Sequence, residues 1–379
     1  MGIYLDYNAS TPMDERVLNI MIDTYKNYYG NADSRTHDYG VNARQIIEDA
    51  RLSVADLLKI KKDEVFFTSG ATESDNIAIL GLQEYAEQTN KKHIITTAIE
   101  HKAVLEPMRF LESKGFSITY VKPDSSGRVS DKEVLDSVRD DTLLVSVMHA
   151  NNETGIIQPV YEIGSKLSEM GVLFHIDAAQ SFGKLVDELR NIQYDMLSAS
   201  AHKMYGPQGI GVLVLRKKRY KLPPIKAIMY GGNQEHGIRA GTLPTALIAG
   251  LGEACKIASK EYAENIKIYS RCKSDIIEIL NNCGIECSIN GDQKYCIPNT
   301  INIAFHGVNS EALMLASKNY CGISNGSACN SSSYKPSYVL ESMGLDKSLI
   351  ESSVRISWGA GYDIKSDFCN LVETAKTLV

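Results

Sequence analysis

The sequence predicts an α/β protein: a large domain built on a mostly parallel seven-stranded sheet covered by helices, followed by a smaller α+β domain. Three observations predict it. Between about residues 40 and 250, short apolar runs alternate with amphipathic stretches, as when helices cover a parallel sheet. A single long helical run follows. The remainder holds two isolated strand-like runs and a closing helix. At 379 residues the chain is too long for one small core and too short for three ordinary domains.

Taken in order, the expected strands are EVFFT (64–68), HIITT (93–97), SITYV (117–121), LLVSVM (143–148), VLFHID (172–177), DMLSAS (195–200) and IGVLVL (210–215). Between them, Ala43, Ile47, Ala50, Val54 and Leu57 recur at helical spacing, as do Val160, Ile163, Leu167 and Met170. Right-handed crossovers gather the C-terminal strand ends at one edge, where α/β proteins place ligands. After Gly250, Leu251, Ala254, Ala258, Tyr262, Ile266, Tyr269, Ile276 and Leu280 line one side of a helix over about 251–283, read as a bridge between lobes. TINIAF (300–305), SVRISW (353–358) and a final helix supply the smaller lobe. GISNGSACNSSS (322–333) is small and polar throughout and is expected to be a mobile loop. The domains are therefore drawn as 14–250, and 1–13 together with 251–379, without internal repeats.

Composition narrows the function. With 44% hydrophobic and 23% charged residues the chain is ordinary globular material. A net charge of −6 argues against a general polyanion-binding surface, so no direct nucleic-acid binding is expected. The basic run Arg216 to Arg219 reads as a solvated turn after a strand. The start, MGIYLDYNASTP, lacks a basic segment followed by an apolar core, Asp6 stands where myristoylation needs Ser or Thr, and no apolar run would span a bilayer. Eight cysteines without a CxxC pair suit reduced thiols in a cytoplasm better than disulfides or a zinc site.

Four segments at expected strand ends carry chemistry. In SASAHKMYGPQGIG, Lys203 follows a strand inside a turn rich in small residues, where a large cofactor could reach it. A single lysine is usually a surface charge, but one in a partly desolvated pocket loses its proton readily and can form a Schiff base. In HIDAAQS, Asp177 closes an almost wholly apolar strand and needs a cationic or hydrogen-bonding partner. The protonated pyridine nitrogen of pyridoxal 5'-phosphate is such a partner; a helix N-cap is the plain alternative. In TSGATESDN (68–76) a strand runs into a helix through small residues, a phosphate-binding arrangement that is weak evidence alone. His101, in IEHKAV, follows another strand; a lone histidine is more often structural.

In this order, YLDYNASTP, TSGATESDN, EHKAV, HANNETG, DAAQS, AHKMYGPQGIG, GIRAGTLP and NGSACNSSS make the chain resemble the cysteine desulfurases of the NifS/IscS type. These are fold-type I pyridoxal-phosphate enzymes of the class V aminotransferase group, and the resemblance covers essentially the whole chain. It implies that Lys203 carries the cofactor and moves the substrate α-proton, that Asp177 pairs with the pyridine nitrogen, and that Gln180 bonds the phenolate oxygen. It implies that His101 stacks on the ring, that Ala71, Thr72, Ser200 and His202 hold the phosphate, and that Thr242 contributes from the second subunit of a homodimer. Asn152 and Arg355 would fix the carboxylate of L-cysteine.

Cys329 decides the reaction type. Exposed and movable, its thiolate could attack the substrate sulfur, leaving alanine and a persulfide for an acceptor protein. An aminotransferase or a selenocysteine lyase is the alternative, since neither strictly needs that thiol. The segment departs from the common SSGSACTS at Asn325 and Asn330, which bears on partner fit. The chain stops at Val379, without the longer tail that docks the iron–sulfur scaffold in related housekeeping enzymes. The expectation is therefore a dedicated pathway, DNA phosphorothioation or tRNA thiolation ahead of general cluster assembly.

Overall fold

The computed structural model describes residues 2–325, 336–361 and 364–379. The chain opens on a two-residue strand, β1 (Ile3–Tyr4), then builds one sheet from β2 (Val65–Thr68), β3 (His93–Thr97), β4 (Ser117–Val121), β5 (Thr142–Met148), β6 (Leu173–Asp177), β7 (Met196–Ser200) and β8 (Gly211–Leu215). These seven strands lie in the order β2-β8-β7-β6-β5-β3-β4. Every expected strand is present, with ends shifted by a residue at most.

Parallel pairing holds from β7 through β6, β5 and β3 to β4, while β8 runs antiparallel to both its neighbours. The reason is length. Only residues 201–210 separate Ser200 from Gly211, too short for the crossover of a dozen or more residues that a parallel pair needs. β5 through β8 are almost completely buried, because helices cover both faces.

The helices follow the same pattern of burial. In Asp38–Leu58, Ala43, Ile47, Ala50, Val54 and Leu57 all face the core; in Val160–Met170, Val160, Ile163 and Leu167 do, whereas Met170 is half exposed. Met170 is the last residue of its helix.

The bridging helix spans Thr245–Asn281, so it starts six residues before the expected Leu251. Gly250, after which the helix is expected, lies inside it, and a Cβ there would come 2.7 Å from Met21 Sδ. A Cβ at Gly252 would come 2.7 Å from Ala50 Cα. Glycine is thus needed for two helix backbones to approach closely, and packing outweighs its poor helix propensity. One end of this helix, with Leu251, Ala254 and Ala258, belongs to the core of the large sheet; the other, with Tyr269, Ile276 and Leu280, belongs to a second core. That second core closes over a sheet of β9 (Cys287–Ile289), β10 (Thr300–Phe305) and β12 (Ser353–Ser357), in the order β12-β10-β9, under the final helix Lys365–Lys376.

β1 pairs in parallel with β11 (Cys321–Gly322), and Ser324 bridges Arg355. Gly322 and Ser324, at the start of the expected mobile loop, are therefore backbone-paired, which side-chain composition does not signal. Cys329 and the rest of that segment to residue 333 lie outside the described residues. Three residues of the basic run are ion-paired: Arg216 meets Glu64 at 3.4 Å, Lys217 meets Asp63 at 2.5 Å, and Lys218 meets Asp195 at 2.7 Å. No helix among the described residues is long and apolar enough to cross a membrane.

Candidate active site

The C-terminal ends of β3, β5, β6 and β7, with the turn after β2, open onto one cavity of about 630 Å³. It is lined by Ala71, Thr72, His101, Asn152, Asp177, Gln180, Ser200, His202, Lys203 and Arg355, so ten of the twelve sequence-predicted residues converge. Thr242 does not line it and is exposed on this chain, and Cys329 lies outside the described residues.

Lys203 ends the turn Ala201–Lys203 that closes β7, and its ammonium donates to the carbonyls of Asn8 and, at 2.8 Å, of Ala9. The N-terminal segment is thereby drawn across the cavity. Asp177, the last residue of β6, is 5% exposed and accepts from the Ala179 N–H at 2.8 Å. This is a local turn rather than a helix cap, since the next helix begins at Val186. Burial raises the Asp177 pKa, opposed by that N–H, by His101 and by Lys203. A cation brought into the cavity would favour its ionised form.

His101 caps the helix Lys102–Glu112, its Nδ1 accepting from the Ala103 N–H at 3.1 Å. Burial pushes it below the usual histidine range, against the pull of Asp177 and with that of Lys203. The ring is therefore neutral at pH 7, and with Nδ1 engaged as acceptor its proton sits on Nε2. His202 takes the same direction, down to about 4, from burial and the neighbouring Lys203 and Lys184.

The helix Ala71–Leu80 opens at the cavity with Gly70 as N-cap and no side-chain cap, so its first N–H groups await an acceptor. A Cβ at Gly211 would lie 2.5 Å from Gly70 Cα; only glycine there lets the turn after β2 settle against β8 beside Ser200. Glu73 braces the turn, accepting from the Ser69 N–H and pairing with Arg239 at 2.9 Å.

Several groups sequence reasoning missed also reach the cavity. Asp6 is ion-paired with Arg355. Asp75 is fully buried, 3.5 Å from His175 Nε2, and its pKa is raised by burial and by Asp177. Asn8 holds the centre together: its carbonyl accepts from Lys203 and Gln180, its side chain accepts from Thr300, and its N–H donates to Ser357. The motif YLDYNASTP was the available signal.

These residues fit pyridoxal phosphate: an amine, a buried carboxylate short of a cation, an uncapped helix start, and Asn152 Oδ1 and Gln180 Oε1 buried without partners. As placed, Gln180 offers the cavity an acceptor, because its Nε2 donates to Asn8. Donation to a phenolate oxygen requires the amide to turn over.

Fold and site together define a fold-type I pyridoxal-phosphate enzyme. The model of the family described as aminotransferase class-V matches residues 3–365. The curated cysteine desulfurase IscS of Vibrio campbellii is 43% identical over 366 residues, covering 95% of this chain and 88% of its own. Among solved structures, a NifS-like protein superposes with a TM-score of 0.91 at 36% identity, covering all of both chains. DndA from Streptomyces lividans superposes with a TM-score of 0.83 at 42% identity, over 95% of this chain and all of its own. The chain belongs to the class V aminotransferase family, among the cysteine desulfurases of the NifS/IscS type, with pyridoxal phosphate as cofactor.

Proposed function

We propose that this cysteine desulfurase leaves the sulfur of L-cysteine as a persulfide on Cys329 and passes it to an acceptor protein in the cytoplasm. One observation carries the reading: Arg355, which lines the Lys203 cavity, pairs through its backbone with Ser324, five residues before Cys329. Five residues extend at most about 18 Å, a span of sequence that allows the Cys329 thiol to reach the cavity from that anchor. On the far side of the segment, Ser337 donates to the buried Glu153 carboxylate at 2.5 Å, and Tyr338 donates to the Glu100 carbonyl at 2.7 Å.

In this reading Arg355 and Asn152 hold the substrate carboxylate, and Ala71, Thr72, Ser200 and His202 hold the cofactor phosphate. Thr242 adds to them from a second copy. Asp177 would keep a proton on the pyridine nitrogen of the bound cofactor, whose ring would supply an electron sink at the substrate α-carbon. Gln180 bonds the phenolate oxygen. With the cofactor bound, Lys203 would take the α-proton, while His101, placed beside the ring, would hold its mobile proton on Nε2. Cys329 attacks as thiolate: its Sγ bonds to the substrate sulfur as the substrate carbon–sulfur bond breaks. That bond's electron pair stays on carbon, which is protonated to leave alanine.

The division into 14–250 and 1–13 with 251–379 is part of the proposal; separate cores support two domains, with the first turns of the bridging helix past Gly250 still packed on the larger one. For the sulfur we favour a dedicated pathway, DNA phosphorothioation or tRNA thiolation, over general cluster assembly; the likeness to DndA supports it. A pull-down yielding the iron–sulfur scaffold as chief partner would count against that destination. Cys329→Ser tests the chemistry. Sulfide release from cysteine should cease while the yellow cofactor stays bound and borohydride still traps it on Lys203; retained release would reject the assignment.

A further inference from the structure

The Arg355 fork already holds an anion. Its Nη2 is ion-paired with Asp6, its Nη1 donates to the Asn152 carbonyl at 2.9 Å, and its Nε is buried without a hydrogen-bond partner. The arginine side chain is 6% exposed and that of Asp6 18%, and both line the cavity. Asp6 is held there by the backbone: Ser357 donates to Leu5, Tyr7 donates to Ser357, and Asp6 bridges Ser357, two residues beyond Arg355. The two charges are therefore juxtaposed by the fold and do not depend on a ligand to meet.

We infer that Asp6 is a resident carboxylate with which the substrate's α-carboxylate competes for Arg355, and that this competition sets how tightly α-amino acids bind. The inference rests on the reading of Arg355 as the carboxylate anchor. A guanidinium offers five N–H donors, so a second carboxylate has places to dock, but it meets a cation already neutralised and a like charge beside it. Substrate cysteine and product alanine carry the same α-carboxylate. Asp6 therefore weakens both alike, which shows in KM and in product release rather than in the chemical step. Weak binding is useful here, because the product must leave a site shaped for its precursor.

Asp6→Asn keeps an oxygen for Nη2 and removes only the charge. Titrating the holoenzyme with L-alanine and following the cofactor absorbance reads affinity without turnover. Asp6→Asn should bind alanine about tenfold tighter, the effect of one unit of pK-scale interaction, and KM for cysteine should fall with it. Asp6→Glu, which restores the charge, should return affinity toward that of the natural protein. Equal or weaker alanine binding by Asp6→Asn would overturn the inference. Arg355→Lys in the same titration separates the two claims: alanine affinity unchanged there would instead sink the reading of Arg355 as anchor.

Discussion

At Lys203, Asp177 and His101 the chemistry was legible because each residue type is unusual where it stands: an amine, a carboxylate and an imidazole at the ends of apolar strands. Asp6 was not legible. Its partner Arg355 lies 349 positions away, and no spacing rule joins an N-terminal carboxylate to the last described strand. Histidine burial gives a pH prediction. His175, fully buried between Ser146 and Ser198, is held by burial down to about 3 against an ordinary 6.5. Below 6.5 the unfolded chain takes up a proton that the folded chain refuses. The stability this histidine contributes is thus complete above pH 6.5 and is lost as pH falls toward 3. His175→Gln should flatten that part of the acid limb in denaturant titrations run from pH 7 to 4; an unchanged slope would mean the imidazole is protonated in place.

Among elements, the central strands were readable because strands covered on both faces are short apolar runs, and β4, partly exposed, by its β-branched and aromatic residues. The start of the bridging helix was not, since a glycine serving helix contact looks like a glycine ending a helix. The antiparallel course of β8 followed from a connection length that its own sequence does not advertise. The segment before Thr242 is fixed by a buried pair: Arg51 Nη2 meets Glu235 Oε1 at 2.6 Å, and Glu235 Oε2 accepts from the Phe67 N–H at 2.7 Å. Glu235→Ala leaves Arg51 charged and buried, so it should destabilise the protein by about 3–5 kcal/mol, read as a lower denaturant midpoint. A loss under 1 kcal/mol, on the order expected of a surface pair, would show that the pair does not anchor this segment.

For the whole molecule, the helix Glu15–Asn27 buries Val17, Met21 and Thr24, yet Leu18, Ile22 and Tyr25 are exposed on it, with Tyr29 and Tyr39 stacked beside it at 5.5 Å. A helix apolar on two faces has more to bury than one chain covers. With Thr242 exposed and away from its own cavity, the proposed homodimer accounts for both features. Ile22→Asp combined with Tyr25→Asp should yield a monomer in sedimentation and weaken cofactor retention; a dimer that persists would place the contact elsewhere. The exposed stripe was open to sequence reading, but its exposure was not, because periodicity reports that a face is apolar and not what covers it.

The central claim is that one sulfur, on Cys329, meets the cavity built around Lys203. It is tested most directly by mixing holoenzyme with L-cysteine in the absence of acceptor and mapping the eight cysteine-bearing positions by peptide mass spectrometry. A gain of one sulfur atom at Cys329 is expected, abolished by borohydride treatment beforehand. A gain at another cysteine, with Cys329 unchanged while alanine accumulates, would contradict it.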